Sequence, residues 1–293
     1  MNIDELNSRY DVVEHFISEK EDMDILRESI GNIGDLERMI SRAATAKILP
    51  REMLQLSRGL SQLKPIAGLC KGKGVEALDS LTNDLKDCSE LQDKIASTLG
   101  TDPAAAIGKG DVIAAGVNEE LDNLRDISRN SKDYLLQMQQ REAARTGISS
   151  LKITYNNVFG YSIEVRNTFK DKVPPEWIRK QTLVNAERYI TQELKDYEEK
   201  ILGAEESIYS LESQIFAGLV TEVQKKIVDI QNNSRILARL DVLAGFAYGA
   251  IERHYCRPEM NDSYSLDIKA GRHPVIETLM PAGEEYVPND VFM

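Results

Sequence analysis

The stretch RKQTLVNAERYITQELKDYEEKILGAEE, Arg179 to Glu206, contains the change of pattern that decides the fold. It begins within a run, Ile178 to Leu183, that we predict to be a short strand. From Thr191 the pattern becomes helical, with apolar residues three and four positions apart. This seam consists of Leu194, Tyr197, Ile201, Ala204, Ile208, Leu211 and Ile215. No proline follows before Pro258, so a continuous helix would span roughly 100 Å at about 1.5 Å per residue.

A second β-type segment precedes this stretch. Apolar and polar residues alternate on both sides of a turn that contains Asn156, Asn157 and Gly160. The apolar members are Leu151, Ile153 and Tyr155 before the turn, and Tyr161, Ile163 and Val165 after it. Residues 148–190 are therefore predicted to form a hairpin and one further strand.

A long helix is predicted on the other side of this β-rich segment, from Val117 to Gly147, where no proline interrupts the chain. Its apolar side consists of Leu121, Leu124, Ile127, Leu135 and Met138. Because two long helices enclose the same β-rich segment, we expect them to lie antiparallel, side by side. The seam is then buried within the chain, and a dimerising coiled coil is the alternative.

The remaining residues favour a mainly α fold. Residues 1–100 contain several helical patterns separated by glycine and proline, and 100–116 is a looser segment. Near the end, Leu266 with Ile268, and Val275 with Ile276, are predicted to be strands. Aromatic residues make up only 6% of the composition, as is typical of helical proteins.

The charge distribution singles out the β-rich segment. The whole chain has a formal net charge of −12, whereas residues 151–190 carry seven basic and four acidic side chains. Basic residues on short strands, together with amide side chains, suit contacts with phosphate groups. The predicted contact residues are Lys152, Asn156, Asn157, Arg179, Lys180, Gln181, Asn185 and Arg188. The alternative is a solvated β segment with ordinary surface charge.

No catalytic centre or metal site is predicted in this chain. The run Gly68 to Gly74 has one residue too few between its glycines for a phosphate-binding loop, and Gly74 lies where Ser or Thr would bind magnesium. The three cysteines and three histidines lack the spacing of metal ligands. No signal peptide or membrane-spanning run is visible, so we expect a cytoplasmic protein.

Recognition of particular motifs adds to this interpretation. The run 179–206 resembles the clamp-to-lever signature of the bacterial MutS family of DNA mismatch-repair proteins. Other stretches that resemble the family are Gly34–Arg38, Asn118–Arg125, Gly160–Val165, Gly271–Glu277 and Val287–Asp290. One departure is Gln192, where the family usually has proline; Thr191 can still cap the helix.

The resemblance implies a fragment of a longer protein. Its parts would be core and lever helices (1–116), an outgoing lever helix (117–147), a β-rich clamp (148–190), a returning lever helix with core (191–261), and the first strands of a truncated ATPase domain (262–293). Neither a Phe-x-Glu wedge for reading mismatches nor a P-loop occurs in the sequence.

The resemblance also implies the partners. The clamp would bind the backbone of duplex DNA without sequence preference, and the levers would couple it to an ATPase domain. The fragment itself is expected to be no enzyme and to need no cofactor, whereas the longer protein would use ATP and Mg²⁺, form a homodimer and bind partners such as MutL. The rival hypothesis is a coiled-coil arm with a hinge head from a chromosome-organising ATPase, which the shortness of the outgoing helix disfavours.

Overall fold

A computed structural model describes residues 2–156, 158–281 and 283–293, apart from the side chain of Lys132. Most of these residues are helical, and the strands form one small antiparallel sheet and a separate two-stranded ribbon. The prediction of a mainly α protein with a small β part is confirmed.

The helices and strands follow one another in this order along the chain. Helices α1 to α7 are Ile3–Ser18, Lys20–Gly31, Leu36–Ala44, Pro50–Ser61, Leu63–Cys70, Glu76–Asn83 and Ser89–Thr98. Next come α8 (Glu119–Thr146), β1 (Lys152–Asn156), β2 (Gly160–Arg166), a 3-10 helix (Asn167–Lys172), β3 (Ile178–Thr182) and β4 (Ala186–Ile190). The chain continues with α9 (Gln192–Lys225), α10 (Ile227–Arg253), β5 (Asp267–Gly271), α11 (Pro274–Leu279) and β6 (Asn289–Phe292).

The chain divides into two compact units. The first consists of residues 1–45, 55–92 and 223–293, and the second of residues 46–54 and 93–222. In the first unit, α10 packs against α1, α2 and α3. The fully buried Asn233 on α10 accepts a hydrogen bond from the amide of Lys86 (2.8 Å) and donates one to its carbonyl (2.9 Å). This pair of bonds fixes the segment after α6 to α10.

In the second unit, α8 and α9 run antiparallel, as their side-chain contacts require. The rings of Tyr134 and Tyr197 stack with centroids 4.0 Å apart, near the start of α9. Nearer the start of α8, Arg125 Nη2 lies 2.6 Å from Glu212 Oε1. These two side chains are 5% and 1% exposed, so the ion pair lies in the interior, where Glu212 also accepts the amide of Val112 at 3.0 Å. The buried ion pair thus joins both long helices to the segment before α8.

The predicted seam on α9 is correct only in its first part. Ala204 is buried, but farther along Glu212 and Phe216 are buried, whereas the predicted Leu211 and Ile215 are half-buried. A seam of period 3.5 drifts by about 20° per heptad on a straight helix, so the buried side moves away from it. The ion pair with Arg125 also draws Glu212 inward.

The expected single helix after Thr191 is interrupted at one residue. Lys226 has φ −106° and ψ 7°, and its amide donates to the carbonyl of Val223 (2.9 Å) rather than to a residue four positions back. The break therefore falls on a lysine, while two glycines, Gly203 and Gly218, lie inside α9 without interrupting it.

The four-stranded sheet has the order β1-β2-β4-β3, and all neighbours are antiparallel. The hairpin and the strand from Ile178 are as predicted, but β4 was not predicted, and the chain makes a second hairpin there. One face of the sheet packs against the end of α8 and the start of α9. That core consists of Met138, Ile148, Leu151, Ile163, Val165, Trp177, Tyr189 and Leu194.

The carboxyl-terminal segment contains one element that differs from the prediction. Val275 and Ile276 belong to helix α11 rather than to a strand, because Pro274 starts the helix and His273 Nδ1 accepts the amides of both residues at 3.3 Å. Strands β5 and β6 pair with each other. None of the described residues from 254 onward is buried.

Candidate nucleic-acid interface

One face of the four-stranded sheet carries a row of polar side chains that crosses every strand. Lys152 is the register partner of Glu164, Glu164 of Arg188, and Arg188 of Gln181. Arg188 Nε lies 3.2 Å from Glu164 Oε2, and Arg188 Nη1 lies 3.0 Å from Gln181 Oε1. We call these four residues the transverse row. Since neighbouring strands lie about 4.8 Å apart, the row is roughly 15 Å long.

The centre of the transverse row is neutralised internally. Arg188 is only 19% exposed at its side chain, and Glu164 is its ion-pair partner. Lys152 and Lys180 form no ion pair with any other residue within 2–156, 158–281 and 283–293. These two lysines are therefore more available to a ligand than Arg188, which orients Gln181.

Arg179 lies on the opposite face of the sheet. Its register partner is Tyr189, a core residue. Its Nη1 lies 3.6 Å from Glu187 Oε1, and its side chain remains 62% exposed. The hydroxyl of Tyr189 donates to Glu187. Burial, together with this hydrogen bond, raises the pKa of Tyr189 to about 12, so the hydroxyl keeps its proton at neutral pH.

Lys180 occupies an irregular position on β3. The pairing with β4 shifts register between Arg179 and Gln181, which leaves Lys180 as the extra residue of a bulge. Strand β3 is at the edge of the sheet, and Lys180 is exposed. Because of the bulge, Arg179 and Gln181 point to opposite faces although the sequence places them two residues apart.

The predicted asparagines do not form one group. Asn156 Oδ1 accepts the amides of Val158 (2.9 Å) and Phe159 (3.1 Å), so this oxygen stabilises its own turn. Asn185 lies at the other end of the sheet, in the turn between β3 and β4. Asn157 is outside the described residues.

Local sequence explains how the sheet is held at its two connections to the helices. Gly160 has φ +70°, a conformation that side chains disfavour, and it turns β1 into β2. After β4, the hydroxyl of Thr191 accepts the amide of Leu194 at 3.1 Å, which confirms the predicted helix cap. Glu198 on α9 accepts the amide of Tyr161 at 3.0 Å and fixes the start of β2 to that helix.

Sequence reasoning missed two features of this surface. It omitted Glu164, whose role depends on a register that one sequence does not specify. It also omitted β4, although Asn185 between two short β-type runs is a hairpin signal that would have indicated it.

The sites considered for other chemistry lack the necessary geometry. In the glycine-rich run, Lys73 Nζ lies 2.5 Å from Asp22 Oδ2, and the amide of Gly72 donates to Asp79 Oδ1 (2.7 Å). These groups already have partners and do not fit a nucleotide phosphate. Within the described residues, no cluster of three His, Cys, Asp or Glu suits a metal ion. Burial raises the pKa of Cys70 to about 11, which makes it an unreactive thiol.

Within the described part of the chain, every helix lacks the combination of length and apolar content that crossing a bilayer requires.

Comparison with known proteins assigns the sheet and its flanking helices to a described domain. The sequence profile of MutS family domain IV matches residues 116–207. The DNA mismatch repair protein MutS of Phocaeicola vulgatus is 53% identical over 288 residues, which are 98% of this chain and 33% of that protein. The proteins of the same name from Parabacteroides distasonis and Bacteroides thetaiotaomicron are 51% and 52% identical over the same shares.

The chain thus spans about a third of the length of the curated relatives it matches. The profile match covers α8, the four-stranded sheet and the first part of α9, and the identity to the relatives extends over nearly all of the chain. The chain therefore belongs to the MutS family.

Proposed function

We propose that this chain acts in DNA mismatch repair and that its four-stranded sheet binds the backbone of duplex DNA without sequence preference. The observation that carries the proposal is the transverse row and the adjacent cations of β3, all of which lie inside the segment matched by MutS family domain IV. The name of the relatives, DNA mismatch repair protein MutS, supports a role in this process.

The chemistry of the sheet favours phosphate contacts over contacts with bases. Lys152 and Lys180 provide exposed positive charge, and Gln181 provides an amide held by Arg188. Arg179, on the opposite face, adds a guanidinium at the outer strand β3 that stays 62% exposed. Such donors bind phosphate oxygens, which are the same at every base pair and therefore carry no sequence information. Matched and mismatched duplexes are accordingly expected to bind with equal affinity.

The charges also set the expected strength of binding. Glu164 neutralises Arg188, so we count about three effective cations, and the log-affinity should fall with log salt at a slope near −2.7. The formal net charge of −12 opposes binding, and we expect a dissociation constant in the high micromolar range or above at physiological salt.

Coupling to ATP hydrolysis is proposed for the longer proteins of the family. In them, α8 and α9 would connect the sheet mechanically to a domain that binds ATP and Mg²⁺. We expect this chain to bind no ATP, since the groups of its glycine-rich run already have partners, and no step of the binding proposed here passes through that cofactor. We expect the purified chain to show no ATP turnover. ATP hydrolysis that stays with the chain through every purification step would contradict this. Homodimerisation and binding of MutL are likewise proposed for the longer proteins.

The test is a low-salt titration of a fluorescently labelled duplex, repeated at several salt concentrations. Arg179→Ala/Lys180→Ala should weaken binding and make the salt slope less steep by about 1.8, because two cations are lost. The control is Lys20→Ala/Lys71→Ala, which removes two exposed lysines from the first unit and should change neither quantity. If Arg179→Ala/Lys180→Ala leaves both the affinity and the salt slope unchanged, the assignment of the sheet as the DNA-binding surface is wrong.

A further inference from the structure

The end of the sheet at the β3–β4 turn is held by a residue outside both strands. Asn167, the first residue of the 3-10 helix, donates from Nδ2 to the carbonyl of Val184 and from its backbone amide to the carbonyl of Asn185, both at 3.1 Å. The turn is closed by the amide of Leu183, which donates to the carbonyl of Ala186 at 2.8 Å. Two of these three hydrogen bonds come from Asn167.

This turn presents side chains to solvent next to an exposed cation. Val184 is 91% exposed, and Asn185 is exposed beside it. Arg166, the last residue of β2, is the register partner of Ala186 and is exposed as well. The guanidinium of Arg166 and the amide of Asn185 are thus carried by adjacent strand ends. We call Arg166, Asn167, Val184 and Asn185 the turn surface.

We infer that Asn167 is a positioning residue that fixes this turn so that Arg166 and Asn185 contact the phosphates of one DNA strand together. The inference rests on the function proposed above and adds a further binding site. Of the residues in this site, only Asn185 was among the predicted contact residues, and none belongs to the transverse row. A guanidinium forms paired hydrogen bonds with a phosphate, and an amide adds a neutral donor to the same backbone.

The role of Asn167 follows from what the turn would lose without it. Alanine at this position would lose the side-chain bond to Val184 and keep the two backbone bonds, from residue 167 to Asn185 and from Leu183 to Ala186. The turn would be held less firmly, and the Asn185 side chain would have to be ordered when DNA binds. Ordering a mobile side chain on binding weakens affinity without changing the number of charges involved. A positioning residue therefore affects affinity and leaves the salt slope unchanged, whereas Arg166 affects both.

The experiment uses the whole chain and a fluorescently labelled duplex at low salt. Asn167→Ala should weaken binding about five- to tenfold with an unchanged salt slope. In the background of Asn185→Ala, the same substitution should have no further effect, because the side chain that it positions is absent. Arg166→Ala should weaken binding and make the slope less steep by about 0.9. Arg166 is thereby a fourth effective cation beside the three counted above, which brings the expected wild-type slope near −3.6.

Lys172→Ala is the matched control for charge. Lys172 is also on the 3-10 helix, but its Nζ lies 5.7 Å from the ring centroid of Phe169. It also lies near Gly147 at the end of α8, about 4 Å from where the Cβ of an alanine at position 147 would be. Its removal should leave the slope unchanged. An equal change of slope with Lys172→Ala, or none with Arg166→Ala, overturns the inference.

Three further outcomes bear on this inference and on the proposed function. A loss with Asn167→Ala that persists in the Asn185→Ala background indicates general damage to the fold and overturns the positioning role. If wild type binds DNA and responds to Arg179→Ala/Lys180→Ala but not to the turn-surface variants, only the present inference fails. Absence of DNA binding by wild type overturns both.

Discussion

Replacing Glu212 with alanine is expected to destabilise the second unit by about 3 kcal/mol. The carboxylate is 1% exposed and accepts from Arg125 Nη2 at 2.6 Å and from the amide of Val112 at 3.0 Å. Removing one partner of a buried ion pair costs about 3–5 kcal/mol, because the other charge stays buried. Asp111 and Asp122, 3.4 and 3.5 Å from the guanidinium, partly compensate that charge, which places the estimate at the lower limit.

The measurement is urea unfolding followed by circular dichroism, together with hydrogen exchange of the Val112 amide. Glu212→Gln keeps an acceptor for that amide and should cost about half as much. The control is Arg129→Ala, which breaks an exposed ion pair with Asp111 (2.7 Å) and should cost under about 1 kcal/mol. If Glu212→Ala costs no more than Arg129→Ala, the buried ion pair does not hold the two long helices together.

Two other predictions concern the connections of the sheet to the helices. The Arg141 guanidinium holds the pKa of Glu193 below its ordinary value of 4.5, so the stabilisation from this carboxylate is present above about pH 4.5 and is lost as the pH falls below it. Glu193→Gln should therefore reduce the difference between urea midpoints measured at about pH 7 and about pH 3.5; an unchanged difference would count against this. Gly160→Ala should destabilise by about 1–2 kcal/mol, because φ is +70° and the new Cβ would overlap the Glu198 carboxylate. Gly203→Ala, in open space inside α9, should instead stabilise by about 0.5–1 kcal/mol, and thermal melting that ranks the two glycine variants the other way would refute the argument.

The spacing of apolar residues predicted those parts of the fold in which the apolar positions of the sequence are also the buried positions of the structure. The start of α9 at Thr191, the end of α8 near Gly147 and the first hairpin all follow from caps, turns and alternation in the sequence. The break at Lys226 could not be predicted in this way, because no proline or glycine marks it.

The candidate site was harder to predict than the fold. Composition identified the basic segment, but which side chains share a face depends on register. The bulge at Lys180 turns Arg179 away from Gln181, and no pattern in the sequence reveals it. The buried position of Glu212 is a similar case, since a charged residue in a helical seam is normally placed on the solvent side.

The bulge in β3 has a second consequence, which concerns solubility. An outer strand leaves unpaired amides and carbonyls that a neighbouring molecule can extend into a larger sheet. In β3 the extra residue interrupts the regular spacing of those groups, and it is a lysine, whose charge repels an identical strand. The irregularity that separates Arg179 from Gln181 therefore also protects concentrated solutions of this chain against edge-to-edge association.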